Sequence, residues 1–154
     1  MKTENDKTIG VLKDLIETCK DGHHGFTTAA EDAKDLELKS LFQQFASERE
    51  QFAHELQTRI RSLGGDPDQS GSVAGSLHRG WMDLKTAIAS HDAHSVLAEC
   101  ERGEDAAVKA YREALDKDID LATRDIVSRQ FAAVQTAHNR VRSLRDSAKY
   151  AVHH

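Results

Sequence analysis

Proline, aromatic residues and cysteine are all scarce in this chain: its 154 residues include one Pro, one Trp, two Tyr, five Phe and two Cys. A sheet protein draws on aromatic and β-branched residues, so their scarcity beside abundant Ala, Leu, Glu, Asp, Lys and Arg argues for helices. Two cysteines, Cys19 and Cys100, cannot build a multi-disulfide scaffold and point to a reducing, cytoplasmic setting. No apolar run approaches the ~20 residues of a membrane span, and no secretory signal opens the chain, so no membrane partner is expected. Basic excess is missing too. With 26 acids against 21 bases and a net charge of −5, there is no electrostatic footprint for nucleic acid. No Ser sits in a Gly-x-Ser-x-Gly setting and no glycine-rich loop cradles phosphate, which disfavours hydrolase and nucleotide-binding functions. The length fits a single domain of about 150 residues, here 1–154.

What is present is helical periodicity. Ile9, Leu12, Ile16, Cys19, Phe26 and Ala30 form one stripe, and Leu38, Leu41, Phe45, Phe52, Leu56 and Leu63 a second. Gly64-Gly65 stops the second helix as a left-handed cap would, and the Gly64–Ser72 stretch, holding Pro67, reads as a loop. Leu77, Trp81, Leu84 and Ile88 mark a shorter helix, followed by a break at Ser90-His91-Asp92. A fourth stripe runs through Leu97, Cys100, Val108, Tyr111 and Leu115, and a fifth through Val127, Phe131, Val134, Val141 and Leu144. The predicted helices span about 5–32, 36–63, 76–89, 93–117 and 120–147, with a loop at 64–75. Short turns make two antiparallel hairpins, and the long link between them is the crossover of a ferritin-like bundle. The fold class is therefore all-α: a four-helix bundle with one long crossover carrying a short accessory helix.

Metal sites in such bundles use a Glu from each of two helices and Glu-x-x-His from the other two. A near-repeat exists: Glu17 precedes Gln51-Phe52-Ala53-His54, and Glu101 precedes Gln135-Thr136-Ala137-His138, at equal spacing. Gln replaces the bridging Glu in both. Helical phase also puts His54 about 160° from Phe52, on the outer side, so the repeat is set aside as a metal motif.

Phase instead selects Glu48, between Phe45 and Phe52, and Glu104, in the middle of the fourth stripe. His23 lies between Cys19 and Phe26, while Gln130 and His138 flank Val134. Buried carboxylates demand a cation, a shared proton or hydrogen-bonding partners. One reading makes Glu48 and Glu104 carboxylate ligands, with His23 or His138 supplying nitrogen to Fe, Mn or Zn. The other is a polar network in which Gln130, Tyr111 and the histidines satisfy them, with Glu55 and Glu101 nearby. Arg49, Arg79 and Arg102 can then pair with Glu55, Glu101 or Asp105 as a charged layer around the core. Cys19 and Cys100 read as inert core thiols. His23-His24 and His91-Asp92-Ala93-His94 read as solvated helix ends, and the basic run Arg140–Arg145 suits a helix C-terminus. His153-His154 carry no functional weight.

The segments Asp21-Gly22, Ala46-Ser47-Glu48-Arg49, Leu77-His78-Arg79-Gly80-Trp81 and Glu101-Arg102-Gly103-Glu104-Asp105, with Tyr111, Gln130 and His138, resemble a bacterial family of ferritin-like four-helix-bundle proteins of unknown function. The resemblance runs from about Thr8 to Asp146. It implies a ferritin-like fold, a bacterial source and a link to stress responses, but no reaction. The chain departs from di-iron relatives in lacking paired Glu-x-x-His motifs. The expected function is a non-catalytic bundle acting as a homo-oligomer, most simply a dimer. The rival is a degenerate metalloprotein. Trp81 is expected to dock the crossover helix, and Gly103 to permit close approach of another helix, that of the crossover or of a second subunit.

Overall fold

The computed structural model describes residues 4–68 and 81–150. It contains α1 (Glu4–Asp32), α2 (Leu36–Ser62), α3 (Leu84–Ala89), α4 (Ala93–Leu115) and α5 (Leu121–Asp146), followed by a 3₁₀ turn at Ala148–Tyr150. Among the described residues there is no strand, and no helix is long and apolar enough to cross a membrane. Residues 69–80, which include most of the predicted loop and the first part of the predicted crossover helix, lie outside the described residues. His153 and His154 do as well.

Local chemistry sets the helix ends. Asp35 Oδ1 accepts the N–H groups of Glu37 and Leu38 at 2.9 and 3.2 Å, which launches α2 three residues after α1 ends. Gly64 adopts φ +84°, its N–H bonds to Arg61 O, and the Gly65 N–H reaches Ile60 O: the double bond of a left-handed C-terminal cap. His91, at φ 57°, turns the chain between α3 and α4, and Asp92 caps α4 through the His94 N–H at 3.1 Å. Asp120 caps α5 through Thr123. Helix α4 stops at Leu115, two residues before its predicted end, where Arg124 donates to the carbonyls of Leu115 and Lys117 at 2.8 and 2.9 Å. Those bonds replace the helical turn that would otherwise have continued.

Helices α1 and α2 form one antiparallel hairpin and α4 and α5 the other, and the two meet mainly through α1 on α4. Helix α3 packs on α4 and α1. The apolar interior falls into two clusters. One gathers Phe26, Phe42, Phe45, Trp81, Leu97, Cys100 and Val141. The second gathers Leu12, Leu15, Cys19, Leu56, Ile60, Tyr111, Val127 and Val134. On α2 the first cluster ends at Ala46 and the second begins at Ala53; on α4 the limits are Cys100 and Ala107. Arg49 and Glu104 occupy those two gaps.

Candidate functional site

Arg49 and Glu104 are the charged pair at the bundle centre. Their side chains are 1% and 0% exposed, and Arg49 Nη2 donates to Glu104 Oε2. Burial pushes the Arg49 guanidinium down, and the Glu104 charge and hydrogen bond push it up by more. A Cβ on Gly22 would lie 2.8 Å from Arg49 Nη1, so glycine on α1 leaves the space that the guanidinium fills. The guanidinium also stands over the Phe26 ring, 5.7 Å from its centroid, where the ring quadrupole attracts it. Arg49 Nε and Glu104 Oε1 are buried without hydrogen-bond partners. A cavity of about 10 Å³, lined by Thr18, Asp21, Gly22, Arg49, Trp81 and Gly103, adjoins the pair. That volume is close to the minimum for one water molecule.

Trp81 closes this level from the crossover side. Its indole is sandwiched between Gly25 of α1 and Gly103 of α4: a Cβ would fall 2.5 Å from Trp81 Cδ2 at Gly25 and 2.1 Å from Cε2 at Gly103. Both positions need glycine because an aromatic ring takes the place of a methyl group. The buried Glu99 fixes the residues that follow Trp81, accepting the Asp83 N–H at 2.5 Å while Arg102 Nε stands 3.0 Å from its other oxygen. The segments that carried the family resemblance thus converge here: Gly22, Arg49, Trp81, Gly103 and Glu104 surround one point.

A second polar chain runs from the core to the surface. Cys19 Sγ and the Tyr111 hydroxyl are 3.1 Å apart, Tyr111 donates to Gln130 Oε1 at 2.7 Å, and Gln130 Nε2 donates to Glu55 at 2.7 Å. Arg129 grips both Glu55 oxygens at 3.1 and 2.6 Å. Burial pushes the Cys19 thiol up to about 11 and the Tyr111 phenol well above its usual range. Hydrogen bonding from Arg129, and then from Gln130, holds the Glu55 carboxyl below its ordinary value.

The residues expected as a metal set are engaged separately. Glu104 meets Arg49. His23 Nδ1 lies 2.9 Å from Ala46 O. His138 Nε2 lies 2.5 Å from Asp105 Oδ1. Glu48 is half-buried, and burial raises its carboxyl against the neighbouring Arg49 charge, with the Glu104 charge adding to the rise. The expected polar network assembles Tyr111, Gln130 and Glu55, but Glu101 stands apart on the α4–α5 seam, with Arg145 Nη1 2.6 Å from its Oε2. Arginine pairing also differs from expectation. Arg49 lies inside rather than in an outer layer, Arg102 pairs with Glu99 and Asp83, and Arg79 is outside the described residues. Among the described residues, Glu101, Asp105 and His138 are the one trio of such side chains whose ligand atoms lie within 4.8 Å of one another. They contain the second half of the near-repeat that phase had set aside. Glu17 and His54 of the first half are half-buried and exposed, respectively.

The inward position of Arg49 and its pairing with Glu104 are what sequence reasoning missed. The signal is visible in retrospect: Arg49 follows Phe45 by four and Phe42 by seven, and precedes Leu56 by seven, in closer phase with the stripe than Glu48.

The overall arrangement is shared with a solved mutant of Dps1 from Mycobacterium smegmatis. The match has a TM-score of 0.81 and 16% sequence identity, and covers 95% of this chain and 99% of that one. At that identity the likeness concerns the fold. No curated protein shows a significant sequence match. A family model described as a domain of unknown function, DUF2383, matches residues 7–117, from α1 through α4 and including the Arg49–Glu104 pair and the Trp81 sandwich, and the chain belongs to that family.

Proposed function

We propose that this chain is a non-catalytic ferritin-like bundle, working in the cytoplasm as a homo-oligomer in a stress-associated role. The observation that carries the non-catalytic reading is the Arg49–Glu104 pair. The charge that a metal would bring to a buried carboxylate is brought here by a guanidinium, which is permanently protonated and has no lone pair to offer a ligand. Two further inward polar groups, Tyr111 and Gln130, bond to each other rather than converging on an open space. The stress association and the oligomeric state rest on the family resemblance, and two measurements test them: sedimentation of the purified chain, and survival of a deletion strain under oxidative and desiccation challenge.

The rival reading places Fe, Mn or Zn among Glu48, Glu104, His23 and His138. Elemental analysis of tag-free protein, repeated on Glu48→Gln and His23→Gln, separates the two. The non-catalytic reading expects metal content to be indifferent to both substitutions. Stoichiometric metal lost in either variant would sink it.

A further inference from the structure

On the α4–α5 seam, Glu101 and Asp105 stand one turn apart on α4 and face His138 of α5, with one ligand atom from each within 4.8 Å of the others. We propose that these three side chains bind one first-row divalent cation, with Zn(II) as the representative probe. The donor set is one imidazole nitrogen and two carboxylates, which suits zinc, manganese or iron and is too nitrogen-rich for calcium or magnesium. Ligand atoms in a tetrahedral zinc site stand roughly 3.4 Å apart, so small side-chain rotations close the set. Glu101 and His138 are each 14% exposed while Asp105 is 58% exposed. The site therefore has two sheltered walls and one open side, where water completes the coordination.

The neighbours of each ligand fit this role. Glu101 Oε2 is buried and accepts no aligned hydrogen bond, although Arg145 Nη1 lies 2.6 Å away. Arg145 also grips Asp146 through Nε and Nη2 at 2.9 and 3.2 Å, so it keeps a partner when Glu101 turns toward a cation. The 2.5 Å contact between His138 Nε2 and Asp105 Oδ1 needs a proton on Nε2. A cation takes the place of that proton. The neutral ring then carries its hydrogen on Nδ1, 3.3 Å from Asn139 Oδ1, which can accept it and hold the ring in the ligating orientation. The proposal does not need the Arg49–Glu104 pair to be read either way; it shares His138 with the rival metal set, from which Glu48→Gln and His23→Gln tell it apart.

The test is a calorimetric Zn(II) titration of the full chain carrying His153→Ala and His154→Ala, with Co(II) absorption reporting the coordination. One equivalent is expected. Glu101→Gln and His138→Gln should each weaken binding by more than roughly 100-fold, beyond the cost of losing an outer partner, and Asn139→Ala by roughly tenfold. Glu48→Gln and His23→Gln should leave affinity unchanged, and Zn(II) should raise the melting temperature of the parent but not of the Glu101 and His138 variants. No binding by the parent, or binding that survives His138→Gln, overturns the proposal. Binding abolished by Glu48→Gln overturns it as well and transfers the site to the bundle centre.

Discussion

Arg49 and Glu104 meet between the two apolar clusters, each fully enclosed and each the other's counter-charge. Two opposing energies decide what this pair does. Removing both charges from water costs several kcal/mol per ion, and the mutual attraction only roughly offsets that cost. The pair is therefore a weak net stabiliser but an expensive one to break. Arg49→Met and Glu104→Met should each lower unfolding free energy by about 3–5 kcal/mol, because each strands a buried charge. The double variant Arg49→Met/Glu104→Met should recover most of the loss. Urea unfolding with a double-mutant cycle checks this, and single variants that cost under ~1 kcal/mol would show that water reaches the pair.

Trp81 gives the second prediction. Replacing a helical glycine by alanine ordinarily favours the helix by about 1 kcal/mol. At Gly103 the added methyl would overlap the indole, and the ring cannot retreat because Gly25 backs its other side. Gly103→Ala should therefore destabilise, by about 1–3 kcal/mol as overpacked cores do. Trp81→Ala empties the same slot and should cost about 3–5 kcal/mol. Trp81 is the sole tryptophan, so its emission reports the site directly. A red shift should accompany Gly103→Ala, and a stabilised variant with unchanged emission would contradict the sandwich.

The helices and their order were legible in the sequence because apolar spacing is a local signal. Gly64 and the His91 turn were legible for the same reason: caps are short-range chemistry, whereas Asp35 went unremarked. Glu104 was found by phase, but its partner was not. An arginine within an apolar stripe usually extends its charge to solvent, which placed Arg49 outside. The glycine at 22 on another helix leaves room for the inward guanidinium, and no spacing rule links residues 22, 49 and 104. The nearness of Glu101 to His138 was not legible for a related reason. Their spacing was noticed, yet it was weighed as half of a symmetric repeat whose other half faces outward, and the third member, Asp105, was seen only as a charge for an arginine.

Glu48 and Glu55 should respond to acid in opposite directions. Burial raises the folded carboxyl of Glu48, so its ionised form opposes folding and the penalty is complete above the folded-state value. Glu48→Gln should stabilise the protein at pH 7, and the gain should vanish as pH falls below the unfolded carboxylate value of about 4.3. Glu55 is held low by Arg129 and Gln130. Its contribution is present above the unfolded value and lost as pH falls through the lower folded one, so Glu55→Gln should destabilise at pH 7 and be neutral in strong acid. Unfolding free energies of the three proteins from pH 7 to pH 3 decide the signs.

Cys19 and Cys100 lie in different apolar clusters, which makes them reporters on the two halves of the core. Both thiols are free, buried and pushed upward by burial, Cys19 to about 11. At pH 8 only about one Cys19 in a thousand would be thiolate even if reagent could reach it, so modification must await opening of the fold. Each long helix contributes residues to both clusters, and the Arg49–Glu104 pair ties α2 to α4 between them. Opening of one half should therefore require opening of the other. Single-thiol variants, Cys19→Ala and Cys100→Ala, should show the same protection against an aromatic disulfide reagent, equal to the global unfolding free energy within about 0.5 kcal/mol. Faster labelling of Cys100 alone would mean that the Trp81 half opens by itself. In Arg49→Met the two thiols should diverge if the ion pair is the coupling, and stay matched if the helices alone carry it.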